Sequence, residues 1–95
     1  MDKGEQYNFQ NTGFDNEHLV TPDGLSVRRF RRELGWSRKD LSRSISIASL
    51  RANGIEASLT PNQISGIEEN SEPIKYSDLC LVASGLNCNP IDLLL

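Results

Sequence analysis

Histidine, tryptophan and methionine occur once each in this 95-residue chain, and cysteine only twice. With one imidazole (His18) and no C-x-x-C pair between Cys80 and Cys88, neither a zinc site nor a disulfide framework can be assembled. The two thiols read as small hydrophobes. The serines between positions 42 and 49 have no evident base, and no two carboxylates fall at a spacing that would pair them, so the sequence predicts no enzyme, no cofactor and no metal. No stretch approaches the ~18 consecutive apolar residues of a membrane span. The first ten residues lack the basic start and apolar core of a secretory signal, which predicts a soluble, cytoplasmic protein. A chain of this length holds one domain with one modest core.

Charge is present but unevenly placed. The formal net charge of −3 argues at first against a nucleic-acid partner, since phosphate binding needs local positive charge. Residues 1–23 set Lys3 against Asp2, Glu5, Asp15, Glu17 and Asp23, a balance of −4. Residues 24–51 set Arg28, Arg29, Arg31, Arg32, Arg38, Lys39, Arg43 and Arg51 against Glu33 and Asp40, a balance of +6. Residues 52–95 set Lys75 against Glu56, Glu68, Glu69, Glu72, Asp78 and Asp92, a balance of −5. The small total therefore hides a basic block between two acidic segments.

Residues 1–20 are polar, carry isolated Tyr7, Phe9 and Phe14, and show no sustained period, which predicts a flexible acidic N-terminal arm. Docking of that arm on the domain or on a second subunit is the alternative. The domain proper is expected over 21–95. Thr21-Pro22 has the form of a helix start, and Val27, Phe30 and Leu34 mark an apolar stripe ending at Gly35. Ser37 and Asp40 form a capping-box pattern that opens a second helix, with Leu41, Ile45, Ala48 and Ala52 on one face as far as Asn53-Gly54. Ile47 and Leu50 lie off that stripe. Thr60-Pro61-Asn62-Gln63 is the clearest start in the chain, with Leu59 and Ile64 at the staple positions and an exit at Asn70. Leu79, Val82, Ala83 and Leu86 define a fourth helix, and Asn89-Pro90 opens a short fifth. No strand signal is comparable, so the expected class is all-α, a compact bundle of five helices.

Three segments carry a family likeness. Arg28-x-Phe30-Arg31-x-x-x-Gly35-Trp36-Ser37-x-x-x-Leu41 covers the first two helices, and Leu59-Thr60-Pro61-Asn62-Gln63-Ile64-Ser65-x-Ile67-Glu68-x-Asn70 the third. Leu79-x-x-Val82-Ala83-x-x-Leu86-x-Cys88 with Leu93-Leu94 covers the rest. In order they resemble the lambda-repressor-like (Xre) helix-turn-helix family over about residues 25–95. The resemblance implies a third helix that enters the major groove of double-stranded DNA while the second grips the backbone. It sets Pro61, Asn62 and Gly66 in base-facing places, with Gln63 and Ser65 beside them. Asn62 and then Gln63 are the expected readers, because each amide can pair in bidentate fashion with adenine; Gln63 can equally serve as a capping residue. Phosphate contacts fall to Arg38 and Lys39, with Thr60, Arg43 and Arg28 as further candidates. Arg31 is implied in an ion pair with Glu68, whereas Arg29 and Arg32 read as solvated charges.

Two features depart from the family. Leu41 and Ile64 lie 23 positions apart, about a dozen more than a tight helix-turn-helix connection allows, so either the second helix is extended or its turn holds an insertion. Glu69 and Glu72 bring negative charge to the third helix, where it would repel phosphates. The leading expectation is a sequence-specific transcriptional regulator acting as a homodimer, with an operon-repressing antitoxin as a variant. The dimer surface is either the C-terminal leucines or the Ile47 and Leu50 strip. The alternative is the same fold used as a protein-interaction module.

Overall fold

A computed structural model describes residues 16–95. In chain order it contains β1 (Leu19–Val20), α1 (Gly24–Glu33), α2 (Arg38–Asn53), α3 (Pro61–Asn70), β2 (Ile74–Lys75), α4 (Tyr76–Leu86) and a 3-10 turn, Pro90–Leu93. The described residues are therefore mostly helical, but with four α-helices where five were expected and with a two-stranded sheet that was not. The fifth helix is reduced to the 3-10 turn because Leu94 and Leu95 enter an extended pairing: Pro22 bridges Leu94, and Leu95 N donates to Thr21 O at 3.2 Å.

The same pairing corrects the start of α1. Pro22 is fully buried and Thr21 is in use by the C-terminal segment, so the helix begins two residues later, at Gly24, with Asp23 in the cap position. Asp23 makes no capping bond to the backbone. The first amide of α1 is satisfied from across the molecule, where Gly24 N donates to Ser71 Oγ at 3.3 Å. Glycine is required here by close approach, since a Cβ would run into the carbonyl oxygens of Ile67 and Glu68. The end of the expected arm falls within the described residues. Leu19 and Val20 pair antiparallel with Lys75 and Ile74, Asn16 and His18 accept amides from Ser77 and Tyr76, and residues 1–15 of the arm lie outside the described residues.

Local grammar holds where the caps are self-contained. Ser37 and Asp40 close a reciprocal capping box at α2, and Thr60 and Gln63 close another at α3. Gly35 and Gly54 take the left-handed conformation after α1 and α2. At the end of α3 the left-handed residue is Ser71 rather than Asn70.

The core gathers Val27, Leu41, Ile45, Ile64, Ile67, Leu79, Val82 and Leu93 between the helices, with Leu59 and Tyr76 closing its edges. Burial of such aliphatic side chains is worth roughly 1.5–3 kcal/mol each. Leu34 and Ala52, assigned to apolar stripes by periodicity, are exposed instead, because both helices reach their ends there. Among the described residues no helix is long and apolar enough to cross a membrane.

The long interval between Leu41 and Ile64 is filled in two ways at once. α2 runs for 16 residues, about 24 Å at 1.5 Å per residue, and residues 54–59 then return along its side. Three serines spaced one helical turn apart hold the return. Ser49 Oγ donates to Ile55 O at 2.7 Å, Ser46 Oγ to the Glu56 carboxylate at 2.6 Å, and Ser42 Oγ to Leu59 O at 2.7 Å. Ser58 Oγ answers with a 2.7 Å bond to Ser42 O. The extension thus doubles back, and Thr60 emerges beside the first turns of α2.

Candidate nucleic-acid interface

The start of α3 is fixed before any partner is considered. Gln63 N donates to Thr60 Oγ1 at 3.1 Å, and Thr60 N donates to Gln63 Oε1 at 2.8 Å. Pro61 at the first helical position supplies its preset φ without losing a needed amide, and Leu59 and Ile64 are both buried as a staple. Asn62 and Gln63 are exposed on this anchored turn. The amide oxygen of Gln63 is taken by the cap, so its side chain is oriented by the helix it begins. Ser65 and Gly66, the other expected base readers, are half-buried. Over Gly66 lies the Glu72 carboxylate, 2.6 Å from where a Cβ would stand.

α3 is tied to α1 and α2 through one carboxylate. Glu68 has a side chain with no solvent exposure, and Arg31 meets it with two nearly parallel bonds, Nε to Oε2 at 2.6 Å and Nη2 to Oε1 at 2.8 Å. The third arm of that guanidinium, Nη1, donates to Trp36 O at 2.8 Å. The fork geometry of arginine allows one buried residue to bind both the carboxylate of α3 and the turn between α1 and α2. Burial pushes the Glu68 carboxyl up, but the bonds and charges of Arg31 and Arg38 outweigh it and hold the group below its ordinary value. The bond to Glu68 raises Arg31 in turn, against the opposing effect of burial. The ion pair that the resemblance implied between Arg31 and Glu68 is present.

The expected phosphate ligands divide into two sets. Arg38, at the first position of α2, is engaged by α3: Nε donates to Glu68 Oε1 at 3.1 Å and Nη2 to Glu69 Oε2 at 3.0 Å. Arg28 reaches Glu68 Oε1 at 3.5 Å. Lys39, Arg43 and Thr60 are exposed, and among the described residues neither Lys39 nor Arg43 has a carboxylate within ion-pair distance. Asp40 sits between them but turns to the cap, where bonds from the Ser37 backbone and hydroxyl hold its carboxyl below the usual range. On the outside of α1, Leu25, Arg28, Arg29, Arg32 and Glu33 line a shallow groove, and the Arg29 guanidinium lies 5.3 Å from the centre of the Phe30 ring.

Sequence reasoning did not connect Arg38 with Glu69. Nothing in spacing links positions 31 apart; only the packing of α2 against α3 does. The return of residues 54–59 did leave a signal, the helical spacing of Ser42, Ser46 and Ser49. Among the described residues no group of His, Cys, Asp and Glu could hold a metal ion. No family model, curated protein or solved structure matches the chain.

Proposed function

We propose that this protein is a sequence-specific DNA-binding regulator of the helix-turn-helix type, acting as a homodimer that sets two α3 helices about 34 Å apart in successive major grooves. The observation that carries this reading is the capped, exposed first turn of α3, with Asn62 and Gln63, on a helix whose last turn Arg38 ties to a basic α2 start that also bears Lys39 and Arg43. A rigid turn with two amide side chains can read base edges, and the neighbouring cations and helix amides can take backbone phosphates. The long interval between α2 and α3 does not count against it, since the return of residues 54–59 sets the start of α3 beside the first turns of α2 rather than at its far end. Binding to bulk duplex DNA should be measurable at low salt and fall steeply as salt rises. Arg38→Ala combined with Lys39→Ala weakens it on all sequences, whereas Asn62→Ala changes the sequence recovered by selection from random DNA. A stable protein that retains no duplex at any salt refutes the proposal.

A second reading, the same fold as a protein-interaction module, is favoured by the exposed Glu69 and Glu72 on and after α3, and by Ile47, Leu50 and Ile55, about half or more exposed at the far end of α2. Retention of a protein partner by a chain that ignores DNA would support it.

A further inference from the structure

Arg38 divides its guanidinium between two unlike carboxylates. Glu68 is buried and already gripped by Arg31, so it keeps a partner whether or not Arg38 stays. Glu69 has a side chain 52% exposed, and Arg38 is the cation within ion-pair distance of it among the described residues. An exposed pair of this kind is weak and open to exchange. A phosphate is a better acceptor for the outer edge of a guanidinium than a single carboxylate oxygen, because it can be met by two parallel N–H bonds. The bond from Nε to the buried Glu68 can persist during that exchange and keep the guanidinium in place.

We infer that Glu69 is an internal counter-ion that masks the phosphate-binding edge of Arg38 and so sets the threshold for loose binding to duplex DNA. The inference rests on the reading of the α2 start as a phosphate clamp. In the free protein the charge of Arg38 is already neutralised. Phosphate must displace the Glu69 carboxylate, which is then left facing a polyanion. Arg38 therefore adds less than Lys39 to the salt-dependent, sequence-independent grip, and stable binding requires the base contacts of α3. Glu69 acts here as a specificity-determining residue without touching a base.

The test is a set of four full-length proteins, wild type, Glu69→Gln, Arg38→Ala and the double variant, titrated with a random-sequence duplex at several salt concentrations. Glu69→Gln is expected to tighten binding by about three- to tenfold at low salt and to steepen the log–log salt dependence by about 0.9, the contribution of one added phosphate contact. In the Arg38→Ala background the same substitution changes neither quantity, because the two residues act through one another. Binding by the wild type with no gain in Glu69→Gln overturns the counter-ion role and leaves the DNA reading standing. A gain that persists without Arg38 also overturns it, since simple repulsion of phosphate by Glu69 then accounts for the effect. If none of the four binds duplex at any salt, the clamp and its counter-ion fall together. The Arg38–Glu69 pair is exposed, so Glu69→Gln should melt within about 5 °C of the wild type, and the double variant within about 5 °C of Arg38→Ala, which also loses the bond to Glu68; each comparison is thus separated from unfolding.

Discussion

Glu68→Ala removes the carboxylate on which Arg28, Arg31 and Arg38 converge, and Arg31 bears the consequence. Its side chain is 9% exposed, so it cannot turn to water, and it would keep only the Trp36 carbonyl at 2.8 Å. Arg28 and Arg38, at 28% and 30%, can rehydrate. The two short bonds lost by Arg31 are charge-assisted, at about 1.5–3 kcal/mol each before non-additivity. Breaking a buried pair by deleting one partner costs about 3–5 kcal/mol for the same reason, an uncompensated buried charge. Against a stability of about 5–15 kcal/mol this is a large share. At roughly 4–8 °C per kcal/mol for a small domain, the thermal midpoint should fall by at least about 12 °C, read by circular dichroism, with a matching fall in the urea midpoint and an unchanged slope. A fall below about 4 °C would refute the account. So would a failure of Arg31→Met with Glu68→Leu to recover most of the loss, because apolar side chains of similar volume commonly replace a buried pair at little cost.

The remaining expectations concern pH, caps and packing. The folded Glu68 carboxyl lies below its ordinary value, so its stabilisation is complete above the unfolded value and is lost as pH falls through the lower folded one. Thermal midpoints of the wild type should therefore drop on acidification below about pH 4.5, and Glu68→Gln should flatten that limb. Ser37→Ala and Thr60→Ala each open a capping box and should cost about 1 kcal/mol by urea unfolding, without loss of helix content in the native state. Gly24→Ala forces a methyl group against the Ile67 and Glu68 carbonyls and should cost about 1–3 kcal/mol; a neutral result would mean that α1 can slide on α3. Ser49 is buried and serves the Ile55 carbonyl, so Ser49→Ala should destabilise by about 1–3 kcal/mol, whereas Ser46→Ala, which removes a solvent-exposed bond to Glu56, should leave the urea midpoint nearly unchanged.

Placing the charges by position gives the small net value its meaning. The basic block supplies α1 and α2, yet three of its arginines converge on Glu68 of α3. Much of the positive charge of that block is therefore spent inside the protein. Lys39 and Arg43 are the cations of the α2 start that remain exposed, and in the proposed function they carry the grip on the backbone that Arg38 holds in reserve.

What the sequence determined by itself is what local chemistry can close within a few residues. The capping boxes at Ser37 and Thr60, the proline at the first position of α3 and the glycine exits after α1 and α2 satisfy their hydrogen bonds within one helical turn, so each was legible at its own position. The pairing of Arg31 with Glu68 was legible only through the resemblance. Tertiary structure decided whatever needed a partner from far along the chain. Thr21-Pro22 has the form of a helix start, but the C-terminal segment takes the Thr21 carbonyl, and the amide of Gly24 finds its acceptor at Ser71. Two-residue strands have too little pattern to read, and they exist because residues 19–20 and 74–75 are brought edge to edge. The serines of α2 were visible, but the segment they hold was not, since a hydroxyl reveals nothing about which carbonyl will return to it. Arg38 was read as a residue for phosphate through the resemblance, and only the approach of α3 supplied the carboxylates that now occupy it.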